Sequence, residues 1–478
     1  MAFSSVLFLF GFLPIFFVAY YALPNRYRNA WALIGSGLFY AWGAPAFLGV
    51  ALVTSFVDFR ISHRIADNTL PAPRRKLLLA VAIALNLAIL FYFKYSNFFV
   101  GQVNGLLESL GRADFNWVDV ALPIGISFIT FEKISYLVDV YRGIVRPAPT
   151  FSTYLLFLAL FPHLIAGPIF RYHDISEQLL ERKHSWESMY EGMVRFSFGL
   201  AKKTLLADPL AEVVNRIFHL SFVALTPGYA WLGAICYAFQ IFYDFSGYSD
   251  MAIGLGKMMG FTFLENFNRP YISTSITEFW RRWHISLSNW MREYLYIPLG
   301  GNRGSVSRTY LNLWIVFLLS GLWHGANWTF VIWGCYHGLF LVLERAVLGK
   351  VLARLPRALS GSYAFIVILF SWVIFRSDNL TEARTFIEQM FAVFRSDLRY
   401  SPPRFVEVMS NRAVVVLAIS ALCAFFPESW REKLFAQRAS FARPVPVVLY
   451  GTCSLLLFFL ATLSLVNSQF HPFIYFRF

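Results

Sequence analysis

Residues 310–348 are apolar almost throughout, and as one straight α-helix they would measure about 58 Å, nearly twice the hydrocarbon thickness of a bilayer. Such a run must tilt, break or turn back. The natural break is 321–327, within Ser320-Gly-Leu-Trp-His-Gly-Ala-Asn327. Irregular backbone at membrane depth is tolerated only where protein or a water-filled cavity covers it, so the break implies an internal chamber. His324 lies in that break. An ionisable group at such depth is costly unless it faces a cavity or a partner, which makes His324 the first functional candidate. A neutral imidazole making one interhelical hydrogen bond is the plainer alternative.

The rest of the chain supports a membrane setting. Hydrophobic residues make up 58% and charged residues 14% of 478 positions, and the mean hydropathy is +0.55, beyond the range of a soluble domain. Apolar segments fall at about 3–22, 30–57, 77–95, 121–140, 151–170, 189–206, 229–262, 310–348, 362–376, 412–426 and 445–466. They predict an all-α polytopic membrane protein of roughly eleven to thirteen transmembrane or re-entrant helices. Segment 3–22 is as long as a span and has no Lys or Arg ahead of it, so it is expected to stay attached rather than be cleaved.

A net charge of +14 would suggest nucleic acid for a soluble chain. Here the basic residues collect between apolar runs, so the partner expected for them is membrane lipid and not nucleic acid. Arg26, Arg28, Arg60, Arg64, Arg74, Arg75 and Lys76, then Arg142 and Arg146, mark cytoplasmic loops and an external N-terminus. The four cysteines lack metal-ligand or C-x-x-C spacing and read as packing residues, and no metal site is expected. No polar stretch is long enough for a separate soluble domain.

The segment 271–294 reads as one amphipathic helix. Ser275-Ile-Thr-Glu278 has capping-box spacing, which starts the helix near Ile276. Trp280, Trp283, Leu287, Trp290 and Tyr294 then form an aromatic stripe suited to the membrane interface or to a groove in the protein. Arg281, His284, Ser288 and Arg292 share a polar face beside it. Either the arginines meet lipid phosphates, or Arg281, Arg282 and Arg292 hold donor phosphates while His284 points toward the chemistry. Arg303 and Arg308 could extend the same cationic rim.

Asp244, Ser246, Tyr248 and Asp250 interrupt the apolar run 229–262. Two carboxylates there need partners, and a structural pairing of Asp244 or Asp250 with an arginine such as Arg281 or Arg282 is favoured over direct catalysis. His163 sits between two prolines in 161–171, read as a kinked chamber wall with Arg171 at its mouth. Asn327 adds a polar group to the same interior. His324 and His337 stand thirteen residues apart and would not face each other on one helix, so they make no local metal pair. Walker A, H-E-x-x-H and G-x-S-x-G motifs do not occur in the chain.

Several longer motifs resemble one family. Phe161-Pro-His-Leu-Ile-Ala-Gly-Pro168, residues 242–254, Asn266-Phe-Asn-Arg-Pro-Tyr-Ile-Ser273, residues 275–288 and Gly321-Leu-Trp-His-Gly-Ala326 are similar to the membrane-bound O-acyltransferases, in particular to the branch that serves bacterial alginate O-acetylation. The resemblance implies His324 as the catalytic histidine, His284 as the second active-site polar residue, and a helical bundle around a tunnel. It further implies a cytoplasmic thioester donor, acetyl-CoA or an acyl carrier thioester, and a periplasmic acetyltransferase-type partner that completes modification of an exopolysaccharide, at the bacterial inner membrane. Residues 1–350 are expected to form the O-acyltransferase core and 351–478 additional C-terminal membrane helices. The segment Gly43-Ala-Pro-Ala-Phe47 departs from the pattern associated with alginate producers, which leaves cellulose or another glycan as acceptor. The competing class is a transporter or flippase of an acylated or glycan intermediate with His324 as gate or proton relay; no inverted repeat supports it.

Overall fold

The computed structural model of the chain describes residues 1–392, 403–426, 444–467 and 473. Every regular element among them is helical. They group into two compact units, Met1–Ser185 with Leu255–Leu264, and Trp186–Gly254 with Glu265–Phe478.

The first unit holds α1 (Leu13–Ala22), α2 (Asn25–Gly43), α3 (Pro45–Ala66), α4 (Ala72–Ser109), α5 (Ile126–Arg142), α6 (Phe151–Ala159) and α7 (Tyr172–Leu180). The apolar run 30–57 is divided between α2 and α3 because Pro45 has no N–H to continue the first helix and its ring starts the second. Phe8, Phe12 and Phe16 recur every fourth residue and lay their rings on Phe161, with centroids 6.3, 5.4 and 5.1 Å away. Beyond Ala159 the chain is not a kinked helix but buried irregular backbone through Phe170: Pro162 bars continuation of α6, and Pro168 lies within the irregular stretch. Arg171 folds onto Asp174 at 2.8 Å and helps cap α7.

The second unit carries α8 (Trp186–Ala201), α9 (Asp208–Phe218), α10 (Pro227–Met258, its last turn belonging to the first unit), α11 (Ile276–Arg282), α12 (Ile285–Met291), α13 (Val306–His324) and α14 (Trp328–Leu343). Further helices follow at Arg357–Arg376, Asn411–Phe425 and Pro444–Asn467. Among the described residues four helices are long and apolar enough to cross a bilayer, namely Ala72–Ser109, Trp328–Leu352, Arg357–Arg376 and Val447–Asn467. Leu7–Ala22 and Asn411–Phe425 are shorter apolar helices. Of the cysteines, Cys236 is buried as a packing residue, whereas Cys423 and Cys453 are exposed on helix surfaces.

The run 310–348 does turn back. The helix stops at His324, the next three residues reverse the chain, and Asn327 caps α14 by accepting from Thr329 N at 3.1 Å. The two helices then approach backbone to backbone. A Cβ on Gly334 would lie 2.3 Å from the Phe317 carbonyl oxygen and 3.2 Å from Gly321 Cα, so only a hydrogen fits there. Gly334→Ala is therefore expected to lower the thermal stability of the detergent-purified protein by about 1–3 kcal/mol through overpacking. Gly338→Ala, whose Cβ would meet its nearest atom at 3.4 Å, is the matched control and should melt like the parent.

Candidate active site

His324 is the last residue of α13, and the geometry of the helix end sets its proton. Its Nδ1 lies 2.7 Å from the Ser320 carbonyl oxygen, one turn back. A carbonyl only accepts, so Nδ1 must carry the hydrogen and Nε2 keeps the lone pair of a base. The ring is 4% exposed and is boxed by Trp323, Trp333 and Phe375, with centroids 4.9, 4.8 and 5.5 Å away.

His284 reaches the same region from the preceding segment, though not on the continuous helix that the aromatic stripe suggested. Ser275 caps the helix as expected, its Oγ accepting from Glu278 N at 3.0 Å, but the reciprocal half of the capping box is not made, since the Glu278 carboxylate accepts from Thr274 N at 2.8 Å. The helix nevertheless ends at Arg282, and His284 takes a left-handed conformation, φ 45° and ψ 54°, before α12 begins. That backbone costs a non-glycine residue on the order of 1–3 kcal/mol, and the surroundings enforce it. Asn266 Oδ1 accepts from Ser286 N at 3.2 Å, from Ser286 Oγ at 2.9 Å and from His284 Nδ1 at 3.2 Å. The Ser286 N–H identifies which end of the amide is oxygen, so His284 too holds its proton on Nδ1 and presents a basic Nε2. Its ring stands on Phe245 at 4.7 Å and lies 6.2 Å from Trp323, which in turn touches His324.

The break redistributes the residues that a single helix would align. His284 is fully buried, whereas Arg281 and Arg292 are exposed and Ser288 is half-buried. Arg282 is held by Glu278 at 2.9 Å and donates to the Asn268 carbonyl. Arg303 and Arg308 are exposed. The shared polar face thus does not exist as one surface, because the left-handed residue turns the imidazole inward between two short helices. The aromatic stripe is internal: Trp280, Trp283, Leu287 and Trp290 are all buried.

The carboxylates of α10 find cations, but lysines and a different arginine from those expected. Asp244 pairs with Lys203 at 2.8 Å, and Lys203 also holds Asp208 at 2.6 Å. Asp250 pairs with Arg195 at 2.8 Å and with Lys202 at 2.5 Å. A π-helical segment, Lys202–Ala207, separates α8 from α9 and carries both lysines. Ser246 is buried, and Tyr248 stacks on Phe473 at 4.7 Å. His163 belongs to the first unit, 3.1 Å from the buried Glu132 carboxylate. Asn327 spends its side chain on the α14 cap and on the Asp378 carbonyl at 2.8 Å, a structural part in the hairpin.

Three further residues were not singled out from sequence. Asn266 orients His284, as above. Glu344, buried near the far end of the α14 run, accepts from Ile276 N at 2.6 Å and Thr277 N at 2.9 Å, and so caps the helix that leads to His284. His337 sits on α14 with its ring 4.9 Å from Trp333. The turn at 325–327 places α14 antiparallel to α13, and thirteen residues of chain separation thereby become two imidazoles flanking one indole.

Residues 145–376, which include every element just described around His324 and His284, match the model of the membrane-bound O-acyltransferase family. The chain is 43% identical to the probable alginate O-acetylase AlgI of Azotobacter vinelandii over 501 aligned positions, covering all of both chains. It is 49% identical to the probable alginate O-acetylase AlgI of Pseudomonas aeruginosa over 82% of this chain and 75% of that one. The peptidoglycan O-acetyltransferase of Helicobacter pylori is 36% identical over 81% of this chain and 79% of its own. Matched to the family model over 145–376 and alike over its whole length to the Azotobacter vinelandii protein, the chain belongs to the membrane-bound O-acyltransferases and is an acyltransferase.

Proposed function

We propose that this acyltransferase moves an acetyl group from a cytoplasmic thioester, acetyl-CoA or an acyl carrier thioester, across the bacterial inner membrane for O-acetylation of an exopolysaccharide. Alginate is the proposed polymer, with a periplasmic acetyltransferase-type partner completing the transfer. The observation that carries this reading is the tautomer of His324: a buried imidazole with Nδ1 committed to Ser320 and Nε2 left as base. In the proposed step the acceptor hydroxyl attacks the thioester carbonyl as His324 Nε2 takes its proton. The C–O bond forms, the C–S bond breaks, and the proton passes to the departing sulfur. His284, also basic at Nε2, suits accepting a hydrogen bond from the donor or the acceptor rather than stabilising an oxyanion, for which a donor is needed. Arg281, Arg282, Arg292 and Ser288 are the proposed contacts for the donor's phosphates, and a tunnel past His324 the proposed route for both substrates. Asp244, Ser246, Tyr248, Asp250 and Asn327 are proposed to support that interior, and His163 the interior of the first unit.

The test uses the purified full-length protein in detergent with radiolabelled acetyl-CoA and alginate oligosaccharide, followed by the O-acetyl content of polymer made by cells lacking their own copy. Thiol release coupled to acetyl transfer supports the reading. Transbilayer movement of a carbohydrate without thioester cleavage would replace it with a carrier.

A further inference from the structure

Both candidate bases present lone pairs, so neither can receive the negative charge that builds on the thioester oxygen, and another group has to donate to it. The buried face of α14 carries such groups. Thr329, Trp333 and His337 recur at every fourth residue, which stacks them on one stripe of the helix, and their exposures are 0, 1 and 0%. Trp280 Nε1 lies 3.2 Å from His337 Nδ1. An indole N–H can only donate, so His337 Nδ1 is the acceptor and its proton must sit on Nε2. The ring is thereby held neutral as a donor, the opposite tautomer from His324 and His284. Neither His337 Nε2 nor Trp333 Nε1 has a hydrogen-bond partner among the described residues. Buried donors are rarely left so, and two on one stripe call for a ligand oxygen. Trp333 touches both imidazoles, with centroids 4.8 Å from His324 and 4.9 Å from His337.

We propose that the N–H groups of His337 and Trp333 form the receptor for the acyl donor's carbonyl oxygen, an acceptor-only ligand, and hold the oxyanion of the tetrahedral intermediate formed when the hydroxyl adds to the thioester. The inference rests on the acyl-transfer reading above. A neutral imidazole is the right donor there, because its proton stays in place while charge develops opposite it. Trp280 is a positioning residue that keeps His337 in that form.

The experiment measures thiol release from acetyl-CoA by the purified full-length protein and its variants, each checked for a parental melting temperature. His337→Phe is expected to lower kcat by about 10²- to 10³-fold with KM little changed, the loss typical of one oxyanion donor. Gln places an amide N–H where Nε2 was, and Asn places its amide where Nδ1 was. His337→Gln is therefore expected to recover much of the rate and His337→Asn little. Parental kcat in His337→Phe, or recovery by Asn equal to that by Gln, overturns the proposal and leaves a packing histidine. Should His337→Phe fail to fold, Trp333→Phe decides in its place, since it keeps a ring and removes the N–H; parental kcat there is equally fatal. His324→Ala separates the two layers. If His324→Ala is inactive while both α14 variants run at full rate, only this inference falls. If the parent releases no thiol, or His324→Ala matches it, the acyl-transfer reading falls and takes the inference with it.

Discussion

Replacing His324 with alanine is expected to lower acyl-transfer turnover by about 10²- to 10⁴-fold, the usual contribution of a positioned general base, while the protein still inserts and folds. The fold should tolerate the change because the Nδ1 hydrogen bond stays within its own helix and the ring packs on aromatic neighbours that remain in place. The vacated volume costs some stability, and the α13–α14 packing at Gly321 and Gly334 does not depend on the imidazole. The measurement is thiol release from acetyl-CoA by parent and variant at matched melting temperature. His324→Gln sharpens it: an amide of similar reach has no basic nitrogen, so it should be as inactive as alanine. Parental turnover in either variant would remove His324 from the reaction.

The second large effect is on stability. Lys203→Met takes away the one ammonium group that Asp244 and Asp208 share, and the Asp244 and Lys203 side chains are only 3% and 5% exposed. Removing one member of a buried ionic cluster leaves uncompensated charge and typically costs about 3–5 kcal/mol. The variant is expected to accumulate poorly and to melt far below the parent in detergent. Adding Asp244→Asn should recover part of the loss, since it removes one stranded charge. Lys202→Met, one residue away, is the contrast: its side chain is 31% exposed, and Arg195 continues to hold Asp250, so a change of about 0–1 kcal/mol is expected. Equal melting of the two lysine variants would contradict the burial argument.

Much of the site was readable as residue types and little of it as partners. Ser275 caps its helix as the Ser-x-x-Glu spacing requires, because that bond spans three residues and needs nothing else. The stop at His324 was equally legible, since 310–348 is too long for one crossing. His284 was read onto the wrong surface. Periodicity assumes unbroken helical dihedrals, and the left-handed turn at His284 depends on Asn266, eighteen residues earlier in the chain. The pairing of Asp244 and Asp250 with lysines rather than with Arg281 or Arg282 has the same origin, for charge complementarity says that a cation is needed and not which one arrives. His337 was set aside because thirteen residues on one helix put two side chains on different faces; the chain reversal at 325–327 voids that premise.

Composition and hydrophobic run length by themselves determined the class of this protein: helical and membrane-embedded, with one histidine marked as a candidate by its depth in an apolar run. They can do so because transfer from water to hydrocarbon depends on each residue's own chemistry and on span length. Which nitrogen of each imidazole carries its proton was decided only in three dimensions. That choice rests on whether the nearest atom within about 3 Å is a carbonyl, an amide oxygen or an indole N–H, and for two of the three histidines that atom comes from a distant part of the chain.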